Sequence, residues 1–334
     1  MPAVTVIVLN YNGARWLPAC LDAIASQAAA PSFETLVVDN GSVDGSIALT
    51  RTSYPTVKLV ELGANLGFAG GNNAGARVAT GEWLAFLNND TAADPAWLAR
   101  LWDAALAHPD FALITSRIVF LHDPSIVDSA GDGYLRAGAA YKHGHGAPAA
   151  SFASSREVFG ACGAAFMIRR EVFEALGGFD ERFFAVYEDV DLSYRARLRG
   201  LRVWYAADAV VRHAGSASLG PGSAGAVFLG QRNLEWVWIK NTPRALLLTS
   251  AVAHAIYSLV GVVHYARHGR GGAALRGKYS ALRGLPGVLA DRRRIQASRM
   301  VEPPAIARHM EPRWLAAKRR EKAFAAARRP DPVV

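Results

Sequence analysis

The sequence is poor in cysteine, with only Cys20 and Cys162 among 334 residues. Two thiols are too few for a disulfide framework and match no metal-ligand spacing, so a reducing compartment is the default. Formal charge is missing from residues 245–266, a stretch long enough to span a bilayer. Acids are scarce in the tail. From residue 267 onward 17 Lys or Arg face 5 Asp or Glu, whereas the first 266 residues hold 20 against 23. The body is therefore near neutral and the tail basic, which points the tail toward an anionic surface. No helix-turn-helix, zinc finger or aromatic RNA-binding pattern accompanies it, so nucleic acid is not the expected partner. The chain opens on the strand pattern of residues 4–9, with no basic segment leading an apolar run, so the body of the chain is expected in the cytoplasm. A hydrophobic content of 51% is that of a globular chain with a full core.

What is present is organised around residues 83–90. Five apolar residues there run straight into Asn88, Asn89 and Asp90. Such a run is the pattern of a strand buried on both faces, and open α/β sheets bind ligands beyond the carboxyl ends of their strands. Asp94 and Pro95 supply a start for the next helix, which leaves Asp90 for a ligand. Earlier strands end in the same way: residues 4–9 lead to Asn10 and Asn12, and residues 33–38 to Asp39 and Asn40. Helical stretches alternate with these strands, implying crossover units and a parallel sheet. Asn65, Gly67 and Asn72 lie in a glycine-rich stretch that follows neither the dinucleotide nor the P-loop spacing. Its glycines would let backbone N–H groups approach a ligand closely.

Beyond residue 110 the pattern loosens into short strand-like pieces between Gly- and Ala-rich loops, through about residue 155. Residues 160–164 are small enough to pack close to a ligand. Glu188, Asp189 and Asp191 then open a helix. Neighbouring carboxylates raise each other's cost of ionisation, and a single cap would complement the helix dipole. Residues 203–205 and 209–213 read as two closing strands, the second ending in His213.

These residues resemble the family 2 glycosyltransferases over roughly residues 3–238. The resemblance implies a GT-A nucleotide-diphospho-sugar transferase fold, a mostly parallel central sheet flanked by helices; the charge and apolar pattern beyond it add a helical basic extension over 239–334. It makes Asp39 the acid that recognises the nucleobase and places it with Asn10, Asn12, Asn40, Asn65, Gly67, Asn72, Asn88 and Asn89 on the donor. Asn88-Asn89-Asp90 matches the metal-binding D-x-D element with two amides in place of acids, so Asp90 carries the link to a divalent cation, with His213 beside it. Mn²⁺ or Mg²⁺ is expected, an imidazole ligand favouring Mn²⁺. Glu188 and Asp189 match the acidic pair that holds the catalytic base, with Asp189 in the base position. The strings NLGFAGGNNAG, FLNND and FFAVYEDVDLSYR are most similar to the rhamnosyltransferase-like branch, which builds cell-envelope polysaccharides from dTDP-rhamnose. An inverting transfer from a dTDP- or UDP-sugar to a glycan or lipid-linked acceptor is then expected.

Residues 245–266 form a two-faced helix on a helical wheel, with Leu248, Val252, Ile256, Leu259 and Val263 on one side and Ser250, His254, Ser258 and Gly261 on the other. Basic residues flank both ends, and a single span would violate the positive-inside tendency. An interfacial helix at the inner face of the cytoplasmic membrane is the expectation; packing against the catalytic domain is the alternative. A nucleotidyltransferase on a related sheet is a rival, but residues 10–15 lack the basic Gly loop it would want.

Overall fold

The computed structural model describes residues 1–215, 220 and 222–326. Strand and helix alternate at first: β1 (Val4–Asn10), α1 (Leu17–Ala25), β2 (Phe33–Asp39), α2 (Ser46–Ser53), β3 (Lys58–Glu61), α3 (Gly67–Val78) and β4 (Trp83–Asn88). Then come β5 (Thr91–Ala93), α4 (Trp97–Ala107), β6 (Phe111–Phe120), β7 (Val127–Ser129), β8 (Asp132–Leu135), β9 (Ala140–Lys142), β10 (Arg156–Val158), β11 (Ala165–Arg169), α5 (Arg170–Ala175), α6 (Glu188–Leu198) and β12 (Arg202–His213). Helices follow: α7 (Ala224–Asn241), α8 (Arg244–Arg267), α9 (Gly271–Arg283), α10 (Leu285–Ala297) and α11 (Pro303–Ala307), then β13 (Met310–Glu311) and α12 (Trp314–Ala326).

The main sheet runs β10-β12-β6-β11-β4-β1-β2-β3, with β4, β1, β2 and β3 parallel and β11 antiparallel to both its neighbours. Successive side chains of β1 alternate between two cores. Val4, Val6 and Val8 pack with Leu17, Leu21, Trp97 and Leu101 of α1 and α4. Ile7 packs with Ala69, Phe86, Phe173 and Leu192 on the other face. The α/β architecture with a mostly parallel sheet is as the alternation implied.

Three local expectations change. The helix after Asp90 does not start at Asp94, because the short strand β5 pairs with β12 first and α4 begins at Trp97. Asp94 instead faces Arg212 at 3.2 Å. The two closing strands are one, β12, with an irregularity between Ala206 and Val210. Gly71 and Gly75 of α3 serve packing rather than a ligand: a Cβ on Gly71 would lie 2.3 Å from Leu9, and one on Gly75 2.7 Å from Ile7.

The expected break after residue 238 falls inside α7. This helix shares a core with both parts: Trp236 and Val237 pack with Tyr134, Phe183 and Tyr194 and also with Ala281, Val288 and Ile306. The extension then returns β13 alongside β8. The polar side of α8 is docked on α7. His254 stacks on Trp238 with ring centroids 3.7 Å apart and meets Glu235 at 2.8 Å. Ser258 and Lys278 also reach Glu235, at 3.0 and 2.5 Å. The apolar side faces outward: Leu248 and Val252 are 71% and 73% exposed.

Candidate active site

Parallel register brings the strand ends together, Asn10 beside Asp39 and Leu9 beside Asn88. Asn89 Nδ2 donates to Asn10 Oδ1 at 2.8 Å, and Asn10 Nδ2 donates to Asp39 Oδ2 at 3.1 Å. The other oxygen of Asp39 accepts from the Gly41 and Ser42 amides. Asn12 Oδ1 accepts from the Val43 amide at 2.9 Å, tying the loops after β1 and β2. Gly13 must be glycine here, since a Cβ would lie 2.0 Å from Asn89 Nδ2 and 2.3 Å from Asn10 Oδ1. Asn40 donates to Asn65 Oδ1 and to the Gly67 carbonyl.

A cleft of about 430 Å³ opens at these strand ends. Asn40, Asn65, Gly67, Asn88, Asn89, Asp90, Glu188, Asp189 and His213 line it. Asn10, Asn12, Asp39 and Asn72 do not. The first three hold the loops around the cleft, and Asn72 on α3 donates to the Phe68 carbonyl of its own helix. Three further lining residues, Asp132, Tyr141 and Lys142, had no signal in the sequence pattern.

The acids at the start of α6 separate by direction. Asp191 points away from the cleft into a structural network, 2.8 Å from both Arg195 Nε and Lys240 Nζ and within 2.7 Å of Asn241 Nδ2. Its i,i+4 spacing to Arg195 was the available signal. Asp189 accepts from the Gly163 amide at 2.7 Å and from the Val190 amide at 2.8 Å. Glu188 is buried beside it, and its Oε2 has no hydrogen-bond partner among the described residues. Burial pushes both carboxyls up; Asp189 adds to the rise at Glu188, while the Gly163 and Val190 amides oppose it at Asp189. Donors to the charged form favour ionisation, so Asp189 is the more readily ionised of the two. Asp132 is also pushed well up, by burial and then by Asp189.

The loop leading into these acids is strained. Phe184, Val186 and Tyr187 all have positive φ, at 65°, 70° and 78°, each a conformation that costs of order 1–3 kcal/mol. Asn233, fully buried on α7, holds the loop by donating to the carbonyls of Phe183, Ala185 and Val186. The strain sits directly before the two cleft carboxyls.

His213 at the end of β12 lies with Nε2 3.2 Å from Asp90 Oδ1. That contact is an ion pair without hydrogen-bond alignment, and Nε2 is buried. Burial opposes charge on the ring, but Asp128 and Asp90 outweigh it and raise His213 to about 9. A carboxylate oxygen and an imidazole nitrogen converging on one point suit a divalent cation. Among the described residues no three His, Cys, Asp or Glu side chains cluster to hold an ion alone. An ion held by this pair would need further oxygen ligands from outside the protein, as Mn²⁺ and Mg²⁺ accept.

The fold is shared with solved glycosyltransferases. GalNAc-T7 with UDP, GalNAc and Mn²⁺ superposes with a TM-score of 0.57 over 71% of this chain and 47% of that one, at 16% identity. Mannosyltransferase PcManGT from Pyrobaculum calidifontis, in complex with GDP-Man and Mn²⁺, gives 0.52 over 92% and 86% at 22% identity. The class is thus a GT-A-like α/β fold. The sequence profile described as Glycosyl transferase family 2 matches residues 5–177. The chain belongs to glycosyl transferase family 2. It is 32% identical over 227 residues to the O-antigen biosynthesis protein RfbC of Myxococcus xanthus, covering 65% of this chain and 18% of that protein. Glycosyltransferase AglE of Haloferax volcanii is 36% identical over 104 residues, 30% of this chain and 34% of its own length. The matched stretches span about a third or less of these two relatives.

Proposed function

We propose that this chain transfers a sugar, with inversion, from a dTDP- or UDP-sugar to a hydroxyl of a cell-envelope glycan or lipid-linked acceptor. The observation that carries the reading is one cleft holding both the Asp90–His213 pair and Asp189. A sugar hydroxyl is a poor nucleophile until a base takes its proton in the transition state. Asp189 takes that proton as the acceptor oxygen bonds to the anomeric carbon and the sugar–phosphate bond breaks, the electron pair leaving on the diphosphate. When bound, a divalent cation neutralises that diphosphate as a Lewis acid. Burial pushes the Glu188 and Asp132 carboxyls toward the neutral acid, which is the weaker nucleophile, and this favours direct displacement over a covalent intermediate. The cell-envelope assignment is supported by RfbC and by the succinoglycan biosynthesis protein ExoO of Rhizobium meliloti, 34% identical over 106 residues. Rhamnose rests on the motif resemblance to the rhamnosyltransferase-like branch.

A thermal-shift screen over nucleotide sugars with Mn²⁺ tests the donor, because a ligand that binds only the native state raises its melting temperature. dTDP-rhamnose should give the largest shift, and NMR of the product should show inverted anomeric configuration. A retained configuration would overturn the direct displacement.

The proposal includes a place of work, peripherally on the inner face of the cytoplasmic membrane. Besides the outward face of α8, Leu275, Tyr279 and Leu282 form an exposed stripe on α9, at 59%, 63% and 68%. Exposed apolar patches of this kind mark interaction surfaces, and the surrounding surplus of Arg and Lys suits anionic lipid. Deleting everything from residue 245 is a poor test, because it also removes β13 from β8 and the partners of Trp236. Changing Leu248, Val252 and Leu259 to Ser leaves the docked side of α8 intact. That variant should lose co-sedimentation with phosphatidylglycerol vesicles yet still act on a short soluble acceptor. Undiminished vesicle binding would sink the placement.

A further inference from the structure

The loosely patterned region between β6 and β10 supplies one side of the Asp90–His213 pair. Asp128 on β7 is buried, and its Oδ2 lies 2.8 Å from His213 Nδ1. Lys142 on β9 donates to both oxygens of the same carboxylate, at 2.9 and 3.1 Å. His145 Nδ1 contacts the Asp128 carbonyl at 2.9 Å. Asp128 is not among the residues lining the cleft, although Lys142 and His213 are.

An imidazole that ligates a cation through one nitrogen carries its single N–H on the other. A carboxylate at Nδ1 can only accept, so that proton belongs on Nδ1 and the lone pair on Nε2, beside Asp90. Partners of this type fix ring orientation and raise ligand basicity. We infer that Asp128 is a positioning residue of the cation site, setting the tautomer and orientation of His213 and held in place itself by Lys142. The inference rests on the reading of Asp90 and His213 as the cation pair. It gives the unpatterned segment a role, since Lys142 reaches from the cleft wall to Asp128, and Asp128 to the ring.

Mn²⁺ titration followed by electron paramagnetic resonance, with UDP and with dTDP, reads the site without turnover. Asp128→Ala should weaken Mn²⁺ about 10- to 100-fold, the usual effect of losing such a partner. Asp128→Asn, whose amide oxygen still accepts from Nδ1–H, should recover most of that loss and guards against a folding failure. In a His213→Ala background, Asp128→Ala should change nothing more, because the effect runs through the ring. Wild-type affinity in Asp128→Ala would overturn the proposal. An equal loss in both variants that adds to that of His213→Ala would make Asp128 a direct ligand and overturn it as well. Wild-type protein that takes up no Mn²⁺ would remove the cation pair itself, and the inference with it.

Discussion

The two sides of the cleft treat polar groups differently. On the strand-end side, Asn10, Asn12, Asp39, Asn40 and Asn65 spend their hydrogen bonds on one another and on neighbouring loop amides. On the acidic side, Glu188 Oε2 and His213 Nε2 are buried without a hydrogen-bond partner among the described residues, and Asp132 is buried in the same cleft wall. A saturated network holds a shape. An unsaturated buried group costs stability and persists where chemistry needs it. The same cleft thus separates a frame from a reactive wall.

The sharpest way to test this division is Asp189→Asn. Turnover should fall on the order of 10²–10⁴-fold, the usual effect of losing a general base, with the melting temperature and Mn²⁺-dependent nucleotide binding nearly unchanged. Near-normal turnover would move the base to Glu188; Asp191 is ruled out by its network with Lys240 and Arg195. On the frame side, Asn10→Ala leaves Asp39 and Asn89 each short of a buried partner. It should cost about 1–3 kcal/mol in urea unfolding. Intact stability with lost nucleotide binding would break the comparison, since Asn10 would then belong to the ligand.

The docking of α8 belongs with the frame. Burial alone would raise Glu235, but His254 and Lys278 outweigh it and bring it down to about 2. A depressed carboxylate contributes stability that is complete above its ordinary range and is lost as the pH falls toward 2. Melting curves between pH 5 and pH 2 should therefore fall more steeply for wild type than for Glu235→Gln. Parallel curves would place the acid sensitivity elsewhere. The smallest effect is expected at Asn12→Ala, an exposed site with a single bond to Val43. Unfolding should shift by about 0.5 kcal/mol or less, and a large loss of activity there would put Asn12 on the donor after all.

Much of this was legible in the sequence. An unbroken apolar run in β4 and apolar-rich stretches in β1 and β2, each ending in amides or acids, marked these strands and the strand ends that meet at the cleft, because a doubly buried strand has little polar side to blur the pattern. The Glu188–Asp189 pair stood out by charge density alone. Asp128, Asp132 and Lys142 did not, since they sit on strands of three or four residues, too short to show an alternation. Glycine misled in the opposite direction. Gly71 and Gly75 matched a ligand loop in composition, yet they let α3 lie against β1 and β2. The two-faced character of residues 245–266 was readable from spacing, but not which face met the protein. Hydropathy favours burying the leucines, and only the specific partners Glu235 and Trp238 make the polar side the docked one.

The pairing of β13 with β8 limits how this chain can be recombined. Met310 and Glu311 lie along Tyr134 and Leu135, in the strand that begins with Asp132. A homologous tail grafted at residue 238 would cut α7 three residues before its end and would have to deliver its own strand to that edge. Without one, the edge of β8 at Tyr134 and Leu135 would lie open, and an open edge of this kind invites pairing with other chains. The helical tail thus completes the small sheet whose middle strand begins at a cleft residue, Asp132.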